Sequence, residues 1–449
     1  MLPFSKIHQQ LEKMHIASLH LILNSHGTFM KYIFSIAMAC LLLGNPIHAQ
    51  DENDTIPKRA IQLYKKPFPP VKGDLFILAM PIVSYNPSNG FMYGVGMSAS
   101  AFLGNPATTR ISSSQVSIMY TTKKQLLVYL KSTFYTKDNN WILNGDWRYM
   151  DTSQPSYGLG TGPASSKLAS NGFEIGDDVY SAPIDDAQLL SYQQIRFYET
   201  VSKEIRDNLY LGLGYHLDIF TDVVDGLADT TADPPVITSY YAYNAEYGFD
   251  QDRSTLSGIS LNASYDSRDN QNCAYEGQYA NVSFHINPEF LGSDKNSTML
   301  KLEYRKYIDL TKNHRNMLCF WGIGNFLTSG TMPYMNLPAL GEDQYNKSGR
   351  GYTVGRFRGP KLVYGEAEFR KHLWATTKNP DFLGMVVFFN AVTANNPDAD
   401  IDLFNYVNIA GGIGIRIMAS KNARTKLGID YAWGDYGSSG FYLRMNETF

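Results

Sequence analysis

An excess of charge of one sign is missing from this chain: 39 Lys and Arg stand against 42 Asp and Glu, a net of -3 over 449 residues. With no basic footprint to neutralise phosphates, nucleic-acid binding is not expected. Cysteine is scarce as well. Cys40, Cys273 and Cys319 show neither a CxxC spacing nor a nearby histidine cluster, so no metal site and no essential disulfide is expected. No Gly-x-Ser-x-Gly elbow occurs, and His216, His285, His314 and His372 are scattered over strand-like and turn-like segments. The GLGTG run at Gly158 to Gly162 is not followed by a helical pattern, which argues against a phosphate cradle. The chain therefore reads as non-enzymatic and free of cofactors. Beyond Gln50 no apolar run approaches the roughly 18 residues that a membrane-crossing helix needs. Charged residues are thin throughout at 18%, against the usual quarter or so.

Aromatic residues and glycine are abundant instead: 31 Tyr, 24 Phe and 37 Gly. That mixture suits strands ringed by aromatic girdles, and the dominant pattern from Leu75 onward is alternation. Leu209, Leu211, Leu213, Tyr215, Leu217 and Ile219 share one face, opposite Tyr210, Gly212, Gly214, His216 and Asp218. Leu427, Ile429, Tyr431 and Trp433 likewise oppose Lys426, Gly428 and Asp430, and Ile413, Ile415 and Ile417 oppose Gly412, Gly414 and Arg416. Strands are expected near 75–85, 90–102, 111–121, 124–136, 141–151, 190–202, 208–219, 255–267, 275–287, 298–308, 315–327, 362–371, 382–392, 408–418, 424–433 and 440–449. The count is even, as a single-chain barrel with both ends on one side requires. The long connections at 152–189, 220–254, 328–361 and 393–407 all follow odd-numbered strands. Short turns at one end and long loops at the other are the periplasmic and extracellular ends of an outer-membrane barrel. The expected fold is thus all-β: a 16-stranded antiparallel transmembrane β-barrel, monomeric, spanning 75–449.

Ahead of the barrel, residues 30–49 have a basic start at Lys31, an apolar core from Tyr32 to Leu43 and Ala49 before Gln50, the layout of a secretory signal peptide. Residues 1–29 read as a misassigned extension upstream of Met30. Residues 50–74 read as a polar, proline-bearing periplasmic linker. Cys40 is not a lipidation site on this reading, because the apolar run continues beyond it. The expected location is the Gram-negative outer membrane, with membrane lipid as the immediate surroundings.

The stretch Gly349 to Lys371, GRGYTVGRFRGPKLVYGEAEFRK, carries the strongest chemical signal. A glycine- and arginine-rich loop leads into a strand that puts Glu366, Glu368 and Arg370 on one face. Guanidinium forks match carboxylates, so the loop is placed to fold inward and pin itself to the wall. The alternative is a solvated charged loop beside an ordinary amphipathic strand.

Three features together resemble the BamA/TamA family of outer-membrane assembly and translocation proteins, also called the bacterial surface antigen family. They are Arg350-Gly351-Tyr352 between the eleventh and twelfth strands, Tyr265-Asp266-Ser267-Arg268-Asp269-Asn270 with Glu276-Gly277 after the eighth, and a terminal phenylalanine. The resemblance covers the barrel and is nearest to the short Bacteroidota members. It implies that Arg350 locks the sixth extracellular loop inside the lumen against Glu366 or Glu368, with Arg356 and Arg358 as second contacts. Where the family carries F-x-D-x-G on the thirteenth strand this chain has Asn390, a departure that weakens one half of the implied lock. Asp266, Arg268, Asp269, Asn270 and Gly277 form the implied turn motif, for which a plain Asx turn is the alternative. The last strand resembles a terminal insertion signal, with Phe441, Leu443, Met445 and Phe449 toward lipid and Tyr442, Arg444 and Asn446 inward. The family's polypeptide-transport-associated domains are not expected here. The implied function is insertion or export of proteins or lipids at the outer membrane, either directly or as an accessory, with periplasmic or outer-membrane assembly partners. A passive channel or porin is the alternative.

Overall fold

The computed structural model describes residue 73 and residues 75–86, 90–162, 188–233, 235–311, 313–344, 346–375, 381–421 and 424–449. Apart from Gly73, the expected extension, signal and linker at 1–29, 30–49 and 50–74 lie outside the described residues. Sixteen strands form one antiparallel sheet in chain order. They are β1 Leu75–Asn86, β2 Gly90–Ala101, β3 Ser112–Thr121, β4 Leu126–Tyr135, β5 Trp141–Ser156, β6 Gln188–Arg206, β7 Leu209–Asp225 and β8 Ser254–Asp266, followed by β9 Gln278–Asn287, β10 Ser297–Asp309, β11 Asn316–Gly330, β12 Lys361–Trp374, β13 Leu383–Ala394, β14 Asn408–Ser420, β15 Thr425–Gly434 and β16 Ser439–Met445.

Each strand overlaps an expected one, and the differences lie at the ends. β5, β6 and β7 run 16, 19 and 17 residues, well past the expected bounds, because their ladders continue above the roughly 9–11 residues that a bilayer requires. β16 has only 7 residues and stops four short of Phe449. The long connections are 157–187, 226–253, 331–360 and 395–407. The second of these contains a helix that strand periodicity does not reveal, α1 Ser239–Tyr247, capped where the Thr238 hydroxyl accepts from the Tyr241 N–H at 3.2 Å.

Alternation sorts the side chains. On β7, Leu211 and Leu213 are exposed on the outer face while Tyr210, His216 and Asp218 are buried on the inner one. The same split recurs on β14, where Ile413, Ile415 and Ile417 point outward. An outward apolar band and an inward polar one is what a barrel in hydrocarbon needs. The sheet wraps around the 331–360 connection: Asn346 receives a bond from Lys131 on β4 at 3.3 Å, while Arg350 reaches Asp430 on β15 at 2.9 Å. Among the described residues no ladder joins β1 to β16. At the long-loop end α1 packs on the connection's own turn, with the Tyr240 and Tyr243 rings 5.5 and 5.8 Å from that of Tyr334. Leu159, Leu190, Met332 and Leu337 complete this apolar roof over the lumen.

Candidate functional site

The 331–360 connection descends into the lumen because it satisfies its own backbone on the way. Leu340 N–H donates to Phe357 C=O at 2.9 Å and Gly355 N–H to Leu340 C=O at 2.8 Å, so the segment folds back on itself. Asp343 closes the tip by accepting from the Ser348 N–H at 2.8 Å and the Ser348 hydroxyl at 2.6 Å. Only glycine suits the point of deepest contact: Gly351 has φ +103°, and a Cβ there would lie 2.6 Å from that of Ala410.

Arg350 sits at this depth and is fully buried. Its Nη2 donates to Glu366 at 2.6 Å and to Glu368 at 2.9 Å, and its Nη1 to Asp430 at 2.9 Å. The guanidinium lies 3.4 Å over the Phe388 ring, which seals the remaining face. Burial alone opposes its charge, but the carboxylates of Glu366, Glu368 and Asp430 outweigh that and raise its pKa further above the ordinary value. Tyr364 hydroxyl donates to Glu366 at 2.6 Å, so that carboxylate is satisfied on both sides. The backbone is held too: Gly351 N–H donates to the Tyr442 hydroxyl at 2.9 Å, and the Tyr352 hydroxyl donates to the Ile409 carbonyl.

The clasp belongs to a larger network. Glu368 also takes Arg370 at 2.7 Å, Asp430 takes Arg416 at 2.5 Å, and Glu447 takes Arg416 at 2.8 Å and Lys426 at 3.2 Å. Alternating charges on one dry wall compensate each other's desolvation, and the geometry sets register more dependably than it adds net stability. Lys347, from the loop, donates to the Glu447 carbonyl. Burial and the nearby Arg444 and Arg305 guanidiniums pull its ammonium down to about 7.

Of the residues singled out from sequence, Arg350 meets both Glu366 and Glu368, and Asn390 takes a part other than the one expected. Its amide Nδ2 donates to the Arg350 carbonyl at 2.9 Å, where an aspartate would set acceptor against acceptor. Arg356 and Arg358 do not join the clasp. Arg356 lies 4.3 and 4.8 Å from the Tyr157 and Tyr436 rings, while Arg358 donates to Glu342 at 2.6 Å and to the carbonyls of Tyr334, Met335 and Leu337. Asp430, Arg416 and Glu447 were not anticipated as partners. The available signal was that Asp430 and Arg416 alternate onto the inner faces of β15 and β14.

The turn residues do two things at once. Asn270 Oδ1 accepts from the N–H groups of Asn272 and Cys273 at 2.8 and 3.1 Å, an Asx turn. Asp266 is held by Arg268 at 2.9 Å and receives the Tyr135 hydroxyl from β4 at 3.2 Å, and Asp269 pairs with Arg424. Gly277 has φ +94°, leaving no room for a Cβ against the Ser267 carbonyl.

The terminal signal needs a correction. Phe441 and Leu443 point outward and Met445 is half-buried, but Phe449 does not face lipid; it is 5% exposed. Asn446 adopts φ +66°, which ends the ladder and turns the tail into the lumen, so the two-residue period ceases to apply. There the Phe449 ring lies 5.4 Å from Trp321 and 6.3 Å from Tyr307, and its carbonyl accepts from Arg370 at 2.9 Å. Asn446, expected inward, is buried against Asn272 at 3.1 Å.

Comparison with known proteins sets this geometry in context. The profile of the Omp85 superfamily domain matches residues 170–449. Among solved structures the chain is similar to BamA from Haemophilus ducreyi lacking POTRA domains 1-3, with a TM-score of 0.50 and 17% identity over 83% of this chain and 69% of that one. It is also similar to CdiB from Acinetobacter baumannii, with a TM-score of 0.47 and 10% identity over 82% of this chain and 59% of that one. No curated protein matches.

Proposed function

Because the chain belongs to the Omp85 superfamily, and is thus an outer-membrane β-barrel protein, we propose that it takes part in the insertion or export of proteins or lipids at the outer membrane, as a non-enzymatic barrel working with periplasmic or outer-membrane partners. The single observation that carries this reading is the combination of a lumen clasped at Arg350 with a seam between β1 and β16 that lacks a ladder among the described residues. A barrel blocked along its axis offers little to diffusing solutes, whereas an unpaired strand edge is a template on which another strand adds. In this reading the short-turn end faces the periplasm and the roofed end faces outward.

The test is site-specific crosslinking along the seam, with probes at Phe76 on β1 and Phe441 on β16, in intact outer membranes. Capture of unfolded barrel proteins or of lipid in transit supports the proposal; adducts with neither, together with a large single-channel conductance that Arg350→Ala leaves unchanged, support the passive channel instead.

A further inference from the structure

The wall facing the clasp leaves a cavity of about 280 Å³ between β5–β11 and the underside of the in-folded connection. The carboxylates around it are already engaged. Asp146 is held by Arg148 at 2.5 Å, Asp218 by Arg196 at 2.7 Å, Glu303 by Arg305 at 2.5 Å and Glu342 by Arg358 at 2.6 Å, while Asp343 is occupied by Ser348 at 2.6 Å. Lys301 on β10 lines the same space. Among the described residues its ammonium makes no hydrogen bond or ion pair; it lies 5.8 Å from the Tyr198 ring, in the electrostatic field of Asp146, Asp218 and Glu342.

Register places neutral polar groups around that ammonium. Lys301 lies directly across from Asn325 on β11 and from Ser283 on β9, and Asn281 follows two residues along β9. Cross-strand neighbours stand about 5 Å apart, so these side chains converge on one patch. Ser283 is committed to Asn262 at 2.6 Å and to His285 at 2.9 Å, but the side chains of Asn281, Asn325 and, on β6, Thr200 open to the cavity with no side-chain hydrogen bond among the described residues. An ammonium is a point charge that can hold a tetrahedral phosphate, while the guanidiniums around the cavity are spent on Asp146, Asp218 and Glu303. The neutral amides and hydroxyl suit a hydroxyl-rich body, and the volume is at the small end for ligand sites. A second polar cavity of about 220 Å³ shares Asn144, Thr200, Asn281 and Arg305 with the first and continues toward the short-turn end, which supplies a route in beneath the apolar roof.

We propose that this cavity binds a small hydroxyl-bearing phosphate ester, of the size of a monosaccharide phosphate, with the phosphate on Lys301 and the hydroxyls on Asn281, Asn325 and Thr200. The site stands whether the barrel handles proteins, lipids or solutes. Calorimetric titration of the purified full chain in detergent tests it, using glucose 6-phosphate, inorganic phosphate and glucose as separate probes. Saturable binding of glucose 6-phosphate is expected, at least tenfold weaker for either of the other two, with Lys301→Met reducing affinity at least tenfold and Lys301→Arg retaining most of it. No saturable binding of glucose 6-phosphate, affinity unmoved by Lys301→Met, or equal affinity for inorganic phosphate overturns the assignment. The heat-dependent gel mobility of the folded barrel checks each variant; should Lys301→Met not fold, Asn325→Ala carries the test, with at least a threefold loss expected and no loss overturning it.

Discussion

Two walls of one lumen are filled in opposite ways. From β12 to β16 the inner face carries Glu366, Glu368, Arg370, Arg416, Asp430 and Arg444, all drawn around Arg350 and closed to water. From β5 to β10 the inner face carries Asn144, Thr200, Asn281 and Ser283 with isolated ion pairs, and a cavity remains. Both walls obey the same two-residue alternation. The difference is stoichiometry: where one loop cation meets three carboxylates the loop is clasped by charge, and where each carboxylate already has its own arginine the loop is held by neutral acceptors, as where Arg148 donates to the Asp343 and Gln344 carbonyls at 3.3 and 3.1 Å.

The sharpest way to break this contrast is Arg350→Ala, which leaves buried Glu366 with no cation and takes one of the cations from Glu368 and from Asp430. A loss of about 3–5 kcal/mol is expected, read as a lower urea midpoint of the detergent-solubilised barrel together with new protease cleavage within 331–360. An unchanged midpoint would make both walls equivalent. Next is Phe449→Ala, expected to cost about 3 kcal/mol as a core truncation and clearly more than Phe441→Ala; the reverse order would return Phe449 to the outer face.

Asn390→Asp turns a donor toward the Arg350 carbonyl into an acceptor and is expected to cost about 1–3 kcal/mol. A gain in midpoint would instead show that this wall wanted another negative charge. Lys347 adds a pH arm. Its docked value near 7 lies below the ordinary value of about 10.4, so between the two the docked loop is neutral and the released loop is protonated. Release then takes up a proton, and docking strengthens about tenfold per pH unit as pH rises from about 7 toward 10, with no further change below 7. Protease protection of the loop across that range measures it, and Lys347→Met should flatten the profile. Thr200→Val on the open wall is expected to shift the midpoint by less than about 0.5 kcal/mol; a cost above 2 would mean that wall is as tightly packed as the other.

Much of this was legible in the residues. The strands showed because lipid on one side and polar contents on the other impose a strict period, and Glu366 with Glu368 stood out because both fall on one face within reach of a loop arginine. Asp430 and Arg416 carried the correct facing but no indication of partner, since curvature, rather than pattern, brings β15 opposite the loop. Phe449 was misplaced because its period was extended past Asn446, and a single left-handed residue resets which side follows. α1 and the cavity were invisible for a related reason: both depend on what the long connections fill and what they leave empty.

Arg350 and Asp430 are 80 positions apart in sequence. The clasp is therefore complete only where β12 and β15 both stand in the wall. A sheet holding one of these strands without the other would grip the loop with only some of its anchors, so a docked loop reports that distant parts of the wall are in place.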